Sequence, residues 1–260
     1  MINIRASSLG ELFDCPARWQ AKNLLNMRMP GNGKAHLGTS LHASTAAFDQ
    51  AVLDGKPISV ADAADVFVDT LRKPQEEIDW GEDSPKDAEK VGLILHSRYC
   101  TDIAPRQQYA AVEVRCDKVA IKDLGITLTG TADRIRVVDG EYGISDLKSG
   151  GRAVGSDGRA VVAGHGAQLA IYEFLAEMTF KQAMTLPAEI IGLQTAKTTA
   201  RVGTGHIPNV RQALIGTEED PGLLHHASAI IKSGSYYGNA KSMLCSAKFC
   251  PKHSTCKFKN

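Results

Sequence analysis

The apolar positions of this chain change their period part-way along it. As far as residue 103 they recur at helical spacing, and from residue 109 they alternate. Leu9, Leu12 and Phe13 share one side of a segment opened by Ser8-Leu-Gly-Glu11, a capping-box arrangement, and the helix it predicts reaches about residue 25. Pro16 divides that helix into 8–14 and a second piece from 16 onward, with Cys15 at the joint. Residues 29–34 read as a loop. A helix over 39–55 follows, with Leu41, Phe48 and Val52 on its buried stripe and His42 on the flank of that stripe. Two more helices are predicted over 59–103, one capped by Ser59 and stopped by Pro74, the other opened by Ser84-Pro85.

The alternating part begins at Tyr109, turns at Asp123-Leu-Gly125 and resumes at Ile126. Residues 130–148 then read as two strands joined at Asp139-Gly140, since Asp-Gly between β-rich runs marks a hairpin. Residues 149–165 have the composition of a mobile loop. Residues 168–180 are predicted helical, 189–194 a short apolar strand, and the last helix runs from a Thr217 cap to Gly234. Helices, a meander, then helix and strand describe an α/β (α+β) fold with a central mixed β-sheet flanked by helices. The expected organisation is one domain over 1–260. Within it lie an N-terminal helix (1–36), a helical part (37–108), a sheet core (109–200) and a C-terminal helix with a cysteine-rich tail (201–260).

Composition narrows this only a little. With 260 residues and 43% hydrophobic content the chain can bury a real core. A net charge of +1 excludes a uniformly basic nucleic-acid binder but leaves room for a local basic groove. Residues 62–89 hold ten acidic side chains against three basic ones, so a nucleic acid is expected elsewhere, with Arg152, Arg159 and the tail lysines as candidate contacts. The sequence shows neither a bilayer-spanning run nor an apolar leader, and a cytoplasmic protein is expected. Six cysteines then read as thiols or metal ligands, not disulfides, and Cys100 and Cys116 as core residues.

The chemistry converges on 130–148. Alternation sends Asp146 and Lys148 to one face of the second strand and Leu147 to the other, and Asp133 can reach the same place from the first strand. Two adjacent carboxylates repel unless a cation lies between them, and oxygen ligands with room for water and phosphate suit Mg²⁺ or Mn²⁺. Lys148 can then hold a water or stabilise charge developing on phosphorus. His42 could supply a third ligand and Glu113 an outer or second-metal carboxylate. Gln168 and Tyr172, one helical turn apart, could bind phosphate or orient Lys148. In the tail, Cys245-x4-Cys250-x5-Cys256 with a fourth thiolate at Cys15 suits a [4Fe-4S] cluster or a structural Zn²⁺, and His253 offers a local zinc alternative.

In their order along the chain, Cys15-Pro16, Gly38-Thr-Ser-Leu-His42, Glu113, Gly130-Thr-Ala-Asp133, Ile144-Ser-Asp146-Leu-Lys148, Gln168-x3-Tyr172 and the terminal cysteines resemble the PD-(D/E)xK nuclease superfamily. The likeness is to its RecB-like branch with an iron–sulfur staple, which includes CRISPR-associated and helicase-linked exonucleases. The resemblance implies a restriction-endonuclease-like core with a helical N-terminal insertion. It also implies that His42, Asp133, Asp146 and the carbonyl of Leu147 hold the metal, that Lys148 acts on the attacking water, and that Gln168 and Tyr172 assist. Ser149 stands where the family usually has threonine, and the first cysteine gap is wider than the family's usual C-x2-C. The implied activity is metal-dependent DNA hydrolysis by an exonuclease or end-processing enzyme, on single strands or duplex ends, with a helicase or recombinase as a possible partner. The alternative is a non-catalytic nucleic-acid-binding or scaffold subunit that retains the fold.

Overall fold

The computed structural model describes residues 1–195 and 200–259. Its centre is the expected hairpin: strand β7 (Thr131–Val138) and strand β8 (Glu141–Gly150) meet at Asp139 and Gly140, whose φ angles of 50° and 83° are those of a two-residue turn with both residues left-handed. The hairpin lies inside a five-stranded sheet. On one side of β7 is β4 (Tyr109–Arg115); on the far side of β8 come β9 (Ala188–Gln194) and then β10 (Arg201–Ile207). β8 and β9 run parallel and the other pairs antiparallel, so the sheet is mixed as expected. The parallel pair is joined through helix α6 (Gly166–Phe180).

A second sheet orders β1 (Ile2–Arg5), β6 (Ile126–Thr129) and β5 (Val119–Ile121). The remaining elements are α1 (Leu9–Asp14), α2 (Pro16–Asn23), the two-residue strands β2 (Gly31–Asn32) and β3 (Ile78–Asp79), α3 (Gly33–Leu53), α4 (Val60–Arg72), α5 (Pro85–Arg98), α7 (Val210–Ile215) and α8 (Leu223–Ser233). The strand alternation sorts the core into two layers. Ile144 and Ile190 pack with Leu169 and Leu175 of α6 and with Leu9 and Leu12 of α1. Leu147, Ile191 and Leu193 pack on the other face against Leu41 of α3, Phe67 of α4 and Leu95 of α5. Among the described residues no helix is long and apolar enough to cross a membrane.

The helix break at Cys15-Pro16 and the caps at Ser59 and Ser84 form as expected. Four expectations need correction. The capping box at Ser8 does not form: Ser8 Oγ donates to the Arg5 carbonyl at 3.0 Å and accepts from Trp19 Nε1 at 3.3 Å, while Glu11 pairs with Arg18 and Lys22. The tertiary partners outcompete the local cap. Helix α3 starts at Gly33 instead of residue 39, because Asn32 Oδ1 accepts from the Ala35 N–H at 2.9 Å and supplies a cap within the supposed loop. Thr217 closes a turn with Asp220, and α8 begins only at Leu223.

The fourth correction concerns residues 149–165. β8 runs on to Gly150, and the segment after it folds as a strap across β9 and β10, with Val154 and Ala160 buried and the Ala160 N–H donating to the Thr204 carbonyl at 3.2 Å. A side chain at Gly192 or Gly203 would meet the strap's backbone carbonyls at 2.4 and 2.2 Å. The bare sheet surface receives a segment whose own composition reads as a loop.

Candidate active site

The functional side chains collect at the end of the β7–β8 hairpin, between α3 and α6. Asp133, on β7, is buried and accepts the Leu147 N–H at 2.8 Å, which ties its carboxylate to the neighbouring strand. Leu147 turns its side chain into the core, and Asp146 and Lys148 leave on the opposite face, as the alternation requires. Helix α3 brings His42, whose Nδ1 lies 3.3 Å from Asp133 Oδ2. It approaches closely because Gly38, one turn earlier, leaves room for Ser149 Oγ, which a side chain there would meet at 2.7 Å.

Glu113, expected as an outer or second-metal carboxylate, reaches into the same group. Single ligand atoms from His42, Glu113 and Asp133 lie within 4.8 Å of one another. Glu113 does this with φ at 51°, a left-handed backbone that is uncommon for a side chain of its size. Such a conformation costs of order 1–3 kcal/mol and persists where surrounding contacts enforce it. One contact is Arg134 Nη1, 3.5 Å from Glu113 Oε1.

Asp146 is almost wholly buried beside this group. The Lys148 ammonium lies against its Oδ2, which is otherwise without a hydrogen-bond partner. On the protein's charges alone, burial and then the nearby Asp133 push the Asp146 carboxyl up to about 6. Burial opposes ionisation of Asp133 as well, but His42, the Leu147 amide and Lys148 hold its carboxyl below the ordinary range. The two carboxyls are thus driven apart in proton affinity. His42 moves upward, since Asp133 outweighs the burial that would lower it. One histidine and two carboxylates whose ligand atoms converge are a donor set for a hard divalent cation, and His42, Glu113 and Asp133 fit Mg²⁺ or Mn²⁺, with Asp146 beside them paired to Lys148.

From α6, Gln168 Nε2 donates to Tyr172 Oη at 3.0 Å and points at Asp146 Oδ1 from 3.5 Å. The pair therefore faces Asp146, which Lys148 also contacts. Tyr172 sits over Gly130, where a side chain would come within 2.8 Å of its ring.

The sequence profile of the PD-(D/E)XK nuclease superfamily matches residues 4–257. The chain belongs to the PD-(D/E)XK nuclease superfamily. Membership implies a metal-dependent nuclease, a phosphodiester hydrolase acting on nucleic acid. No curated protein matches the chain. Among solved structures, the crystal structure of SSO0001 is similar at 12% identity and a TM-score of 0.43, over 100% of this chain and 88% of that one.

Two positions in this nuclease escaped the sequence reading. Arg134 adjoins Asp133 in sequence but leaves the opposite side of β7: it donates to Asp49 Oδ2 of α3 at 2.7 Å, to the Asp133 carbonyl at 2.9 Å and to Thr45 Oγ1 at 3.2 Å. His165 immediately precedes α6, and burial together with the Lys148 charge lowers its proton affinity. Neither had a local signal, since an arginine in a strand and a histidine in a glycine-rich segment are ordinary surface residues.

The cysteines fall into two groups. Cys100 and Cys116 are buried core thiols, and burial pushes the Cys100 thiol up to about 12. Cys15, Cys245, Cys250 and Cys256 line one small cavity of about 10 Å³ at the joint of α1 and α2, and His253 lines it too. All four are free thiols. Among the described residues no three of these sulfurs lie within 4.8 Å of one another, so the thiols share a cavity without forming a closed single-ion site.

Proposed function

We propose that this chain is a DNA nuclease of the RecB-like branch, an exonuclease or end-processing enzyme of the cytoplasm. The supporting observation is the pair of buried carboxyls Asp133 and Asp146, flanked by His42 and Glu113 on one side and Lys148 on the other. His42, Asp133, Asp146 and the Leu147 carbonyl would hold Mg²⁺ or Mn²⁺, with Glu113 as a further carboxylate. The chemistry that an ion held there would supply is polarisation of the scissile phosphate and a lowered pKa for a water.

The chain's own part is to hold these groups in place before substrate arrives. The Leu147 amide and His42 keep Asp133 ionised. Gln168, steadied by Tyr172, fixes the orientation of Asp146. Lys148 presents its ammonium where an attacking water and a phosphate oxygen meet, so its charge acts on negative charge that grows in the transition state. A second metal centre is proposed at Cys15, Cys245, Cys250 and Cys256, a [4Fe-4S] cluster with zinc as the alternative. Hydrolysis at Asp146 needs no electron transfer, so its role is structural. A helicase or recombinase that delivers DNA ends is the kind of partner this activity calls for.

End-labelled single- and double-stranded DNA incubated with Mg²⁺, Mn²⁺ or EDTA tests the reading. Cleavage is expected with either metal and not with EDTA. Asp146→Ala and Lys148→Ala should each lower the rate by at least about a hundredfold while DNA binding survives, and His42→Ala should raise the Mn²⁺ concentration needed. Near-normal rates in the first two variants would refute the site.

A further inference from the structure

A cleft of about 660 Å³ opens between the α1–α2 pair, the segment 24–32 that follows it, and the tail. Its lining is polar and basic. Arg5, Arg18, Lys22, Arg28 and Lys248 outnumber Glu11 and Glu76 there, in a chain whose whole net charge is only +1. Glu11 is already engaged by Arg18 at 2.6 Å and Lys22 at 3.0 Å. Among the described residues Arg5 and Arg28 make no ion pair, and both are exposed. Their charge is therefore free to meet an anion. Lys248 is likewise exposed, and its Nζ lies 5.8 Å from the centre of the Phe249 ring, which also lines the cleft.

Two elements connect the walls of the cleft to the carboxylate cluster. Asn32, on its wall, caps α3, and His42 stands ten residues further along the same helix. At the helical rise this is about 15 Å, the span of roughly four phosphates at helical spacing. On the other wall, the Ala6–Ser8 turn meets the site at Gly130, where a side chain would contact Ala6 at 3.3 Å and Tyr172 at 2.8 Å.

We propose that this cleft is the track for single-stranded nucleic acid, which crosses Arg28, Lys248 and Phe249 and enters the Asp133–Asp146 site past Arg5 and Ser7. The inference rests on the nuclease reading of that site and adds the strandedness of its substrate. A duplex presents its phosphates on a convex rod and would touch only the rim. A single strand can lie inside a concave groove, with its phosphates on basic side chains and a base against an aromatic ring. The acidic helices offer no competing track: Arg72 is locked to Glu89 by two hydrogen bonds of 2.7 Å, and Lys73 pairs with Asp69 at 3.0 Å.

The test is fluorescence anisotropy in EDTA, so that nothing is cleaved. The probes are a labelled oligothymidylate strand of about 12 nucleotides and the matched duplex. Arg28→Glu/Lys248→Glu should weaken strand binding by roughly tenfold or more and reduce the salt slope by about 1.4, at ~0.7 for each lost phosphate contact. Duplex binding should change far less. Both residues are exposed, and the neutral pair Arg28→Gln/Lys248→Gln should give an intermediate loss with an unchanged thermal melt. Unchanged strand binding, or equal losses for strand and duplex, would overturn the track. Asp146→Ala assayed separately with Mn²⁺ reports on the nuclease reading: cleavage by that variant would overturn the reading while leaving the binding result standing.

Discussion

Replacing Asp49 by alanine tests the support beneath the site. Asp49 and Arg134 have side chains only 2% exposed and lie 2.7 Å apart, linking α3 to β7. Burial holds the Asp49 carboxyl above its usual range even beside the guanidinium, so the intact pair is a poor source of net stability compared with apolar packing. Removing one partner is another matter. Arg134 would keep the Asp133 carbonyl and Thr45 Oγ1 as acceptors and, as counter-charge, only the half-exposed Glu113 carboxylate 3.5 Å away, and Tyr99 would lose the acceptor that its hydroxyl reaches at 2.6 Å. Breaking a buried pair in this way costs about 3–5 kcal/mol, and at ~2–4 °C per kcal/mol for a chain of this size Tm should fall by roughly 6–20 °C. Urea titration followed by tryptophan fluorescence measures the loss. Asp49→Leu combined with Arg134→Met should recover most of it, because no buried charge is left without a partner and the Glu113 carboxylate that Arg134 gives up is half-exposed. A loss under about 1 kcal/mol in Asp49→Ala, or a double variant less stable than the single one, would refute the reasoning.

Two further outcomes are expected. Burial pushes the Glu173 carboxyl up to about 7 from an ordinary 4.5, against the opposing pull of Arg211. The folded chain therefore keeps this proton to higher pH than the unfolded chain does, and the contribution of Glu173 to stability falls as pH rises from about 4.5 to about 7; urea midpoints of Glu173→Gln should lack that decline, and curves parallel to those of the unaltered protein would refute it. Anaerobically purified protein should be brown and contain iron, and Cys15→Ala should lose both colour and stability. One bound zinc that survives Cys15→Ala but not His253→Ala would establish the local zinc site instead.

The parts of the fold that were legible in the sequence are those decided within a few residues. Asp139-Gly140 takes a turn that few other pairs can adopt, Pro16 ends one helix and begins another, and the period-2 pattern puts Asp146 and Lys148 on one face and Leu147 on the other. The illegible parts depend on partners distant in sequence. β1 has four residues and forms only because β6 pairs with it, and Gly203 and Gly205 dilute the alternation of β10. The strap after Gly150 looks mobile by composition, yet glycines some forty residues later in β9 and β10 give it a surface to lie on. Glu113 had the right residue type for a ligand, but its left-handed backbone and its approach to His42 come from the tertiary environment.

The tail shows how far such long-range contacts shape the candidate site. Asn239 Nδ2 donates to the Asp14 carbonyl at 3.0 Å, Ser242 Oγ to Asp14 Oδ2 at 2.6 Å, and Arg18 Nε to the Phe249 carbonyl at 2.9 Å. All three bonds end on or near the α1–α2 joint that carries Cys15. The Ala17 N–H also donates to the Tyr237 carbonyl at 2.9 Å, Lys252 reaches Gln20 Oε1 at 3.4 Å and Tyr236 stacks on Trp19, and since a typical net hydrogen bond contributes only about 0.5–1.5 kcal/mol the docking is spread over many small contacts. Metal–thiolate bonds at the same joint would make that docking firm. Phe249 and Lys248 immediately precede Cys250, which means that whatever fixes the cysteines also fixes one wall of the basic cleft. A metal held by the cysteines would therefore act on hydrolysis through the position of the nucleic acid, with no chemistry of its own at Asp146.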